Sequence, residues 1–218
     1  MANHCQNFAY FSGEPEQISK LEQALQRETD NHLKQEYTDK GLTIPSYYMN
    51  TVELYARNYN LILSDQPDDF TQPGYDVYDL YGSRWFVCEW EVMSDTEIQL
   101  MGSSAWSPVL LFFGKICTTY RLDAYGDYAE SGMDFAGEFT ITKEGEVTDN
   151  QTSYQQYEAT HNPEGFFEDV LYSISDGHFE SFQSVLNHFK DVDWNLSDAE
   201  TETLKTEYHD YLMSLTNK

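Results

Sequence analysis

The segment 191–202 (DVDWNLSDAETE) places oxygen-bearing side chains at the spacing of a calcium-binding loop. The four residues at the ligand positions of an EF-hand loop are Asp191, Asp193, Asn195 and Glu202. The sixth position is Leu196, where the sharp turn of such a loop requires glycine. Ser197 and Glu200 also have the spacing of a helix capping box, which accounts for polar residues here without a metal. We therefore expect no calcium site.

Other catalytic patterns are missing from the chain. The sequence contains no Cys-x-x-Cys, no His-Glu-x-x-His, no phosphate-binding glycine loop and no Gly-x-Ser-x-Gly. The six histidines are scattered, and Cys5, Cys88 and Cys117 are too few and too widely spaced for a disulfide framework. They are interpreted as buried thiols of a reducing cytosol. We assign no catalytic, cofactor-binding or metal-binding residue, and the alternative is an enzyme with an unrecognised site.

The charge of the chain is its most unusual property. Asp and Glu total 38 against 12 Lys and Arg, a formal net charge of −26, and the excess is concentrated after residue 60. Such a field repels phosphate backbones and attracts basic surfaces. We expect no direct nucleic-acid binding and a basic or nucleic-acid-binding protein as partner. The candidate interaction residues are Asp123, Asp127, Glu130, Asp134, Glu138, Glu168, Asp169, Glu180, Asp198, Glu200 and Glu202.

The patterns of apolar residues predict an α+β protein. We expect strands at 6–11, 84–93, 97–101, 121–128 and 135–142, and helices at 14–35 and 109–120. Ser107 followed by Pro108 is typical of a helix N-cap. The spacing of Tyr48, Val52, Tyr55 and Tyr59 indicates a helix. The sequence of residues 65–74 predicts a loop.

This order, β-α-insertion-β-β-α-β-β, is the pattern of a ferredoxin-like antiparallel sheet with helices packed on one face. We expect that domain at 1–150, with an insertion at about 37–80. Residues 151–218 are expected to form a C-terminal helical extension, because Phe166, Val170 and Ile174 recur at helical spacing there.

Four short motifs in order resemble the YubB-like proteins of plasmids and phages, which carry a ferredoxin-like domain. The matching segments are Asn3–Asn7 (NHCQN) with Ser12–Glu16, Tyr81–Trp85 (YGSRW), Ala105–Val109 (AWSPV) and Glu130–Gly137 (ESGMDFAG). The resemblance implies this fold and an accessory protein of a mobile element, and it implies no activity. A bacterial cytoplasmic location agrees with the absence of an apolar run long enough for a membrane span.

We therefore expect a non-enzymatic acidic interaction protein, monomer or homodimer, that inhibits a host nucleic-acid-binding or defence protein by presenting a DNA-like acidic surface. The main alternative is a dimerising regulatory or structural module whose acidity serves only solubility. A further alternative is a nucleic-acid binder that stacks bases on Phe8, Tyr10, Trp85 and Trp90. Glu89 and Glu91 beside that platform make it unfavourable for phosphates.

Overall fold

The computed structural model describes residues 3–44, 48–55, 58–64 and 76–216. The chain divides into two compact units, residues 1–151 and 152–218. The first unit contains a seven-stranded sheet and four α-helices among its described residues, and the second contains four α-helices.

The sheet has the strand order β2-β3-β4-β1-β5-β6-β7, and the pairs β2–β3, β3–β4, β4–β1, β1–β5 and β5–β6 are antiparallel. Its strands are β1 (His4–Ser12), β2 (Thr51–Tyr55), β3 (Trp85–Ser94), β4 (Glu97–Ala105), β5 (Asp123–Glu130), β6 (Phe135–Ile141) and β7 (Val147–Thr152). The helices of this unit are α1 (Pro15–Glu36), α2 (Tyr59–Leu63), α3 (Val77–Tyr81) and α4 (Leu110–Tyr120).

The central strands β3-β4-β1-β5, with α1 and α4, form the β-α-β-β-α-β arrangement of a ferredoxin-like fold. The predicted fold class is thereby confirmed. Strand β2 extends this sheet beyond β3, and β6 and β7 extend it beyond β5.

The helices cover one face of the sheet because they and every second strand residue are apolar. Ile18, Leu21 and Leu25 of α1 and Phe112 and Phe113 of α4 share one core with the inward side chains of the strands. The opposite face of the sheet, which we call the open face, carries the outward side chains of the same strands.

The segment 37–80 differs from its prediction. Residues 51–55 form β2 rather than a helix, because Thr51–Tyr55 pairs with β3 along its edge and Tyr59 instead begins α2. Tyr47 and the predicted loop 65–74 lie outside the described residues. The predicted insertion thus adds an edge strand and two short helices to the domain.

The start of α4 also differs from its prediction. The residue before α4 is Val109 and not Ser107. The backbone N–H of Val109 donates to the side chain of Asn7, which lies in the middle of β1. The Ser107 hydroxyl donates instead to the carbonyl of Gly82. Ser107 therefore ties two loops together rather than capping the helix.

The second unit is a small helical cluster. Its helices are α5 (Tyr154–His161), α6 (Pro163–Ser175), α7 (Phe182–Asp191) and α8 (Asp198–Thr216). Apolar residues of α6, α7 and α8 form its core, among them Phe166, Ile174, Phe189 and Leu204. The predicted capping box is present, since Ser197 N–H donates to Glu200 and Glu200 N–H donates to the Ser197 hydroxyl.

Among the helices that the structure describes, none combines the length and the apolar character that a membrane crossing requires.

Candidate functional site

The open face is built by the alternation of side chains along each strand. In β1, Cys5, Asn7, Ala9 and Phe11 are buried against the helices, so the residues between them project from the other side. The strand registers bring further rings and carboxylates of β3, β4, β5 and β6 beside these residues. The aromatic residues of this face are Tyr55, Trp85, Phe8, Tyr10 and Tyr125.

A cavity of about 760 Å³ lies at the β2-β3-β4-β1 end of the open face. Its walls include the rings of Phe8, Tyr48, Tyr55 and Trp85 together with one carboxylate, that of Glu89. The cavity is therefore an aromatic depression with an acidic wall.

Hydrogen bonds organise the remainder of the face. The Gln99 amide donates to the Tyr10 hydroxyl at 3.0 Å, and the Tyr125 hydroxyl donates to the Glu97 carboxylate at 3.2 Å. The rings of Tyr10 and Tyr125 are stacked, with centroids 5.1 Å apart. Partial desolvation and the Glu97 carboxylate raise the pKa of Tyr125, so the phenol stays neutral and continues to donate. The two rings therefore have a fixed orientation on the face.

Of the three outward residues on the platform predicted for base stacking, Phe8 and Trp85 line the cavity and Tyr10 lies beside it. Trp90 does not belong to the platform. It is buried on the helical side, and its indole N–H donates to Thr29 of α1 at 3.1 Å. Successive side chains of a strand point to opposite faces of the sheet. Because Trp90 is an odd number of residues from Trp85, it points to the other face.

Every Asp, Glu, Lys or Arg in the described strands of the sheet is an acid, and β1 has none. In the seven strands that the structure describes there are nine Asp and Glu and no Lys or Arg. Six of these acids lie on the open face of β3 to β6, namely Glu89, Glu91, Glu97, Asp123, Asp127 and Glu138. Glu53 of the edge strand β2 has the same parity, but its carboxylate lies 3.7 Å from His32 of α1. The open face therefore presents carboxylates interspersed with aromatic rings.

Three of the predicted interaction residues lie on this face. Asp127 of β5 stands directly opposite Glu138 of β6, and Asp123 is on the same side of β5 four residues earlier. Like charges directly opposite each other in a sheet are destabilising, so a cation placed at this pair is favourable. Asp123 also accepts a hydrogen bond from the backbone N–H of Lys143.

Glu130 is a correction to the predicted surface set. It is only 3 % exposed, and its carboxylate accepts the backbone N–H groups of Gly132 and Met133 in the turn between β5 and β6. It therefore stabilises the turn and is not available to a partner. Asp134 is exposed at the end of the same turn, with a positive φ of 52°.

The other predicted acids belong to the second unit. Glu168, Asp169 and Glu180 are exposed there, and Asp198 begins α8. The remaining two have local partners, because Glu200 completes the capping box and Glu202 pairs with Lys205 at 2.5 Å.

The segment 191–202 lies between two helices, α7 ending at Asp191 and α8 including Glu202. Within the described ranges of the chain, no three His, Cys, Asp or Glu side chains are close enough to hold one metal ion.

The three cysteines are buried. Burial, with a smaller contribution from nearby carboxylates, raises the pKa of Cys5 and of Cys117 to about 12 and also raises that of Cys88. A thiol that stays protonated is a poor nucleophile. None of the three thiols is therefore an activated nucleophile.

The motifs singled out in the sequence come together in the structure. Asn7 donates to Ser104 at 2.9 Å, Ser83 bonds both backbone groups of Ala105, and Trp106 N–H donates to the Asn3 carbonyl. These contacts tie β1, β3 and the β4–α4 loop to one another.

The motif side chains that do not serve this framework border the cavity. His4 contacts the Trp85 ring edge-on at 5.1 Å, and Arg84 lines a neighbouring depression of about 600 Å³ together with Trp106. Trp106 is 49 % exposed and has a positive φ of 68°, which is unusual for a bulky residue. The sequence motifs could have indicated this end of the face, because several of their residues have no role in the framework.

One family model agrees with the fold. Residues 85–171 match the family model for the ferredoxin-like domain in Api92-like protein. The crystal structure of protein Api92 from Yersinia pseudotuberculosis is similar over 71 % of this chain and 98 % of that one, with 11 % identity and a TM-score of 0.42. No curated protein matches this chain.

Proposed function

We propose that this protein is a non-enzymatic interaction protein that binds a basic protein partner through its open face. The observation that carries the proposal is the composition of the sheet, whose seven strands hold nine acids and no Lys or Arg. Carboxylates among aromatic rings attract guanidinium and ammonium groups through both charge and ring faces.

The distribution of charge supports a basic partner surface. The six open-face acids span β3 to β6, five strands that cover about 19 Å at about 4.8 Å per strand. They are spread over two dimensions, since Glu89 and Glu91 are both on β3 and Asp123 and Asp127 are four residues apart on β5. A basic surface that otherwise binds the phosphates of nucleic acid is a suitable match.

The setting rests on the sequence motifs. Their resemblance to the YubB-like proteins supports an accessory protein of a phage, prophage or plasmid that acts in the bacterial cytoplasm. The partner would then be a host nucleic-acid-binding or defence protein. The acidic face would inhibit it by occupying the surface that binds nucleic acid.

Capture from bacterial lysate with matched charge variants tests the proposal. One variant removes Asp127 and Glu138 from the open face (D127N/E138Q), and its control removes an Asp and a Glu from the second unit (E168Q/D169N). At about 50 mM salt we expect wild type and control to retain basic nucleic-acid-binding proteins that the open-face variant loses, and about 500 mM salt should release them.

The captured protein is then assayed for nucleic-acid binding with increasing amounts of this protein. Inhibition by wild type and control, and not by D127N/E138Q, is the expected result. Equal capture by all three proteins, or recovery of no basic protein, would refute the proposal.

A dimerising module is the second candidate, and one observation favours it. The last turns of α8 expose Leu212, Met213 and Leu215, each 44 % to 50 % accessible. Adjacent exposed apolar residues are typical of contact surfaces. Light scattering of wild type and L212S/L215S separates the two candidates, because a dimer that the substitution dissociates supports self-association through α8.

A further inference from the structure

We propose that the cavity of the open face is the site that receives an arginine side chain of the basic partner, with its guanidinium against Trp85 and Tyr55 and beside Glu89. This inference rests on the proposed function and adds the chemistry of the contact. It concerns one depression rather than the charge of the whole face.

The dimensions of the cavity suit an arginine with a short stretch of peptide. Its volume of about 760 Å³ lies within the range of about 300–1,000 Å³ that ligand pockets occupy. Tyr55 and Trp85 are direct neighbours across the β2–β3 pair, so their rings stand side by side in one wall. Tyr55 is 50 % exposed, and its ring is accessible to a ligand.

The orientation of Trp85 is supported by His4, which also lines the cavity. The His4 ring meets it edge-on, with centroids 5.1 Å apart. A ring held in this way presents its face without a large loss of side-chain freedom on binding. Ring faces attract cations, and tryptophan does so most strongly.

The charge of the cavity selects a cation. Glu89 is exposed on β3, four residues from Trp85 and therefore on the same side of the strand. Among the described residues that line the cavity, Glu89 contributes the one carboxylate, and no Lys or Arg contributes to the walls. Arg84 lines the neighbouring depression instead.

Arginine fits this combination better than lysine. A guanidinium is planar, can stack on an aromatic face and can bond a carboxylate through two parallel N–H groups at once. It is also more weakly hydrated than an ammonium, so less solvation is lost when it enters an aromatic depression. The cavity offers both a stacking surface and a carboxylate.

Calorimetric titration with three peptides tests the inference, namely tetra-arginine, tetra-lysine and tetra-citrulline. Citrulline keeps the planar shape of arginine and removes its charge. We expect tetra-arginine to bind more tightly than tetra-lysine and tetra-citrulline not to bind. E89Q should weaken tetra-arginine binding about tenfold or more, as the loss of a hydrogen bond to a charged group implies. W85L should weaken it about fivefold, as the loss of a cation–π contact implies.

The control variant is E168Q/D169N, which removes two charges from the second unit. It should change the affinity for tetra-arginine less than about threefold, because Glu168 and Asp169 do not line the cavity. Since Glu89 is exposed, E89Q tests the site without depending on the folding of W85L, and circular dichroism checks both.

Three results would overturn the inference: E89Q binding as tightly as wild type, tetra-citrulline or tetra-lysine binding as tightly as tetra-arginine, or E168Q/D169N weakening binding as much as E89Q. If lysate capture still depends on Asp127 and Glu138 in those cases, the proposed function stands and only the arginine site fails. If capture is lost as well, both fail.

Discussion

Replacement of Asn7 by alanine should destabilise the first unit substantially. Asn7 is fully buried, donates to the Cys5 carbonyl and the Ser104 hydroxyl at 2.9 Å each, and accepts the N–H of Val109 at 3.1 Å. The Ser104 hydroxyl keeps a partner without Asn7, because it can donate its hydrogen to the Ser107 carbonyl at 2.6 Å. The group left unpaired is the N–H of Val109, at the start of α4.

The expected loss of stability follows from this one unpaired N–H group. An unpaired buried N–H costs about 1–3 kcal/mol, and the space left by the carboxamide adds about 1 kcal/mol, so the free energy of unfolding should fall by about 2–4 kcal/mol. For a unit of this size, each kcal/mol lowers the Tm by about 2–4 °C. We therefore expect N7A to melt about 4–16 °C below wild type.

Thermal unfolding followed by near-ultraviolet circular dichroism measures the shift. Amide hydrogen exchange locates it, because residues 109–120 should lose protection first if the start of α4 is what Asn7 holds. N150A is the matched control, since Asn150 is exposed on β7 of the same unit. A Tm for N7A within about 1 °C of that control, with unchanged exchange in α4, would show that this reasoning is wrong.

Three further predictions concern the core. G102A should lower the free energy of unfolding by about 3 kcal/mol or more, because a Cβ at Gly102 would lie 2.1 Å from a backbone oxygen of β3. Its control is G114A in α4, where a Cβ meets no atom within 4 Å, so urea unfolding should show a neutral or stabilising effect. The three buried cysteines should be unreactive toward a disulfide reagent at pH 8 and all react in urea, and rapid native labelling would contradict their burial. Burial raises the pKa of Cys5, Cys117 and Tyr59 in the folded state, so as the pH rises these groups lose their protons first in the unfolded chain. The free energy of unfolding should therefore be level below about pH 8 and fall as the pH rises above it. Urea unfolding midpoints from pH 7 to 10 would measure this fall.

The sequence predicted the elements whose patterns are local. The helix periodicity of Ile18, Leu21 and Leu25 and the alternation in β1 and β3 depend on one buried face each, so the central ferredoxin-like strands and both large helices could be derived. Strand β2 could not, because its pairing with β3 outweighs a helical spacing of aromatic residues. Strand β7 has no buried face to produce an alternating pattern.

The candidate site was predictable only in part, for a similar reason. Acidic residues could be counted, but the burial of Glu130 depends on two backbone N–H groups in its own turn. The start of α4 depends on Asn7, which is 102 residues away along the chain from Val109. Strand parity could have placed Glu89 beside Trp85 and removed Trp90 from the platform, because both follow from counting along β3.

The distribution of the basic residues favours the proposed binding over solubility alone as an explanation of the charge. On α1, acids and bases are mixed and paired, as in Lys20 with Glu16 at 2.8 Å. On α8, Lys205 pairs with Glu202 in the same way. The strands of the described sheet have acids without bases, although a few lysines on the open face would leave the net charge ample for solubility. Solubility depends on the total net charge and not on where the charges lie. A surface that binds the cations of a partner requires, in addition, that the protein's own Lys and Arg are absent from that surface.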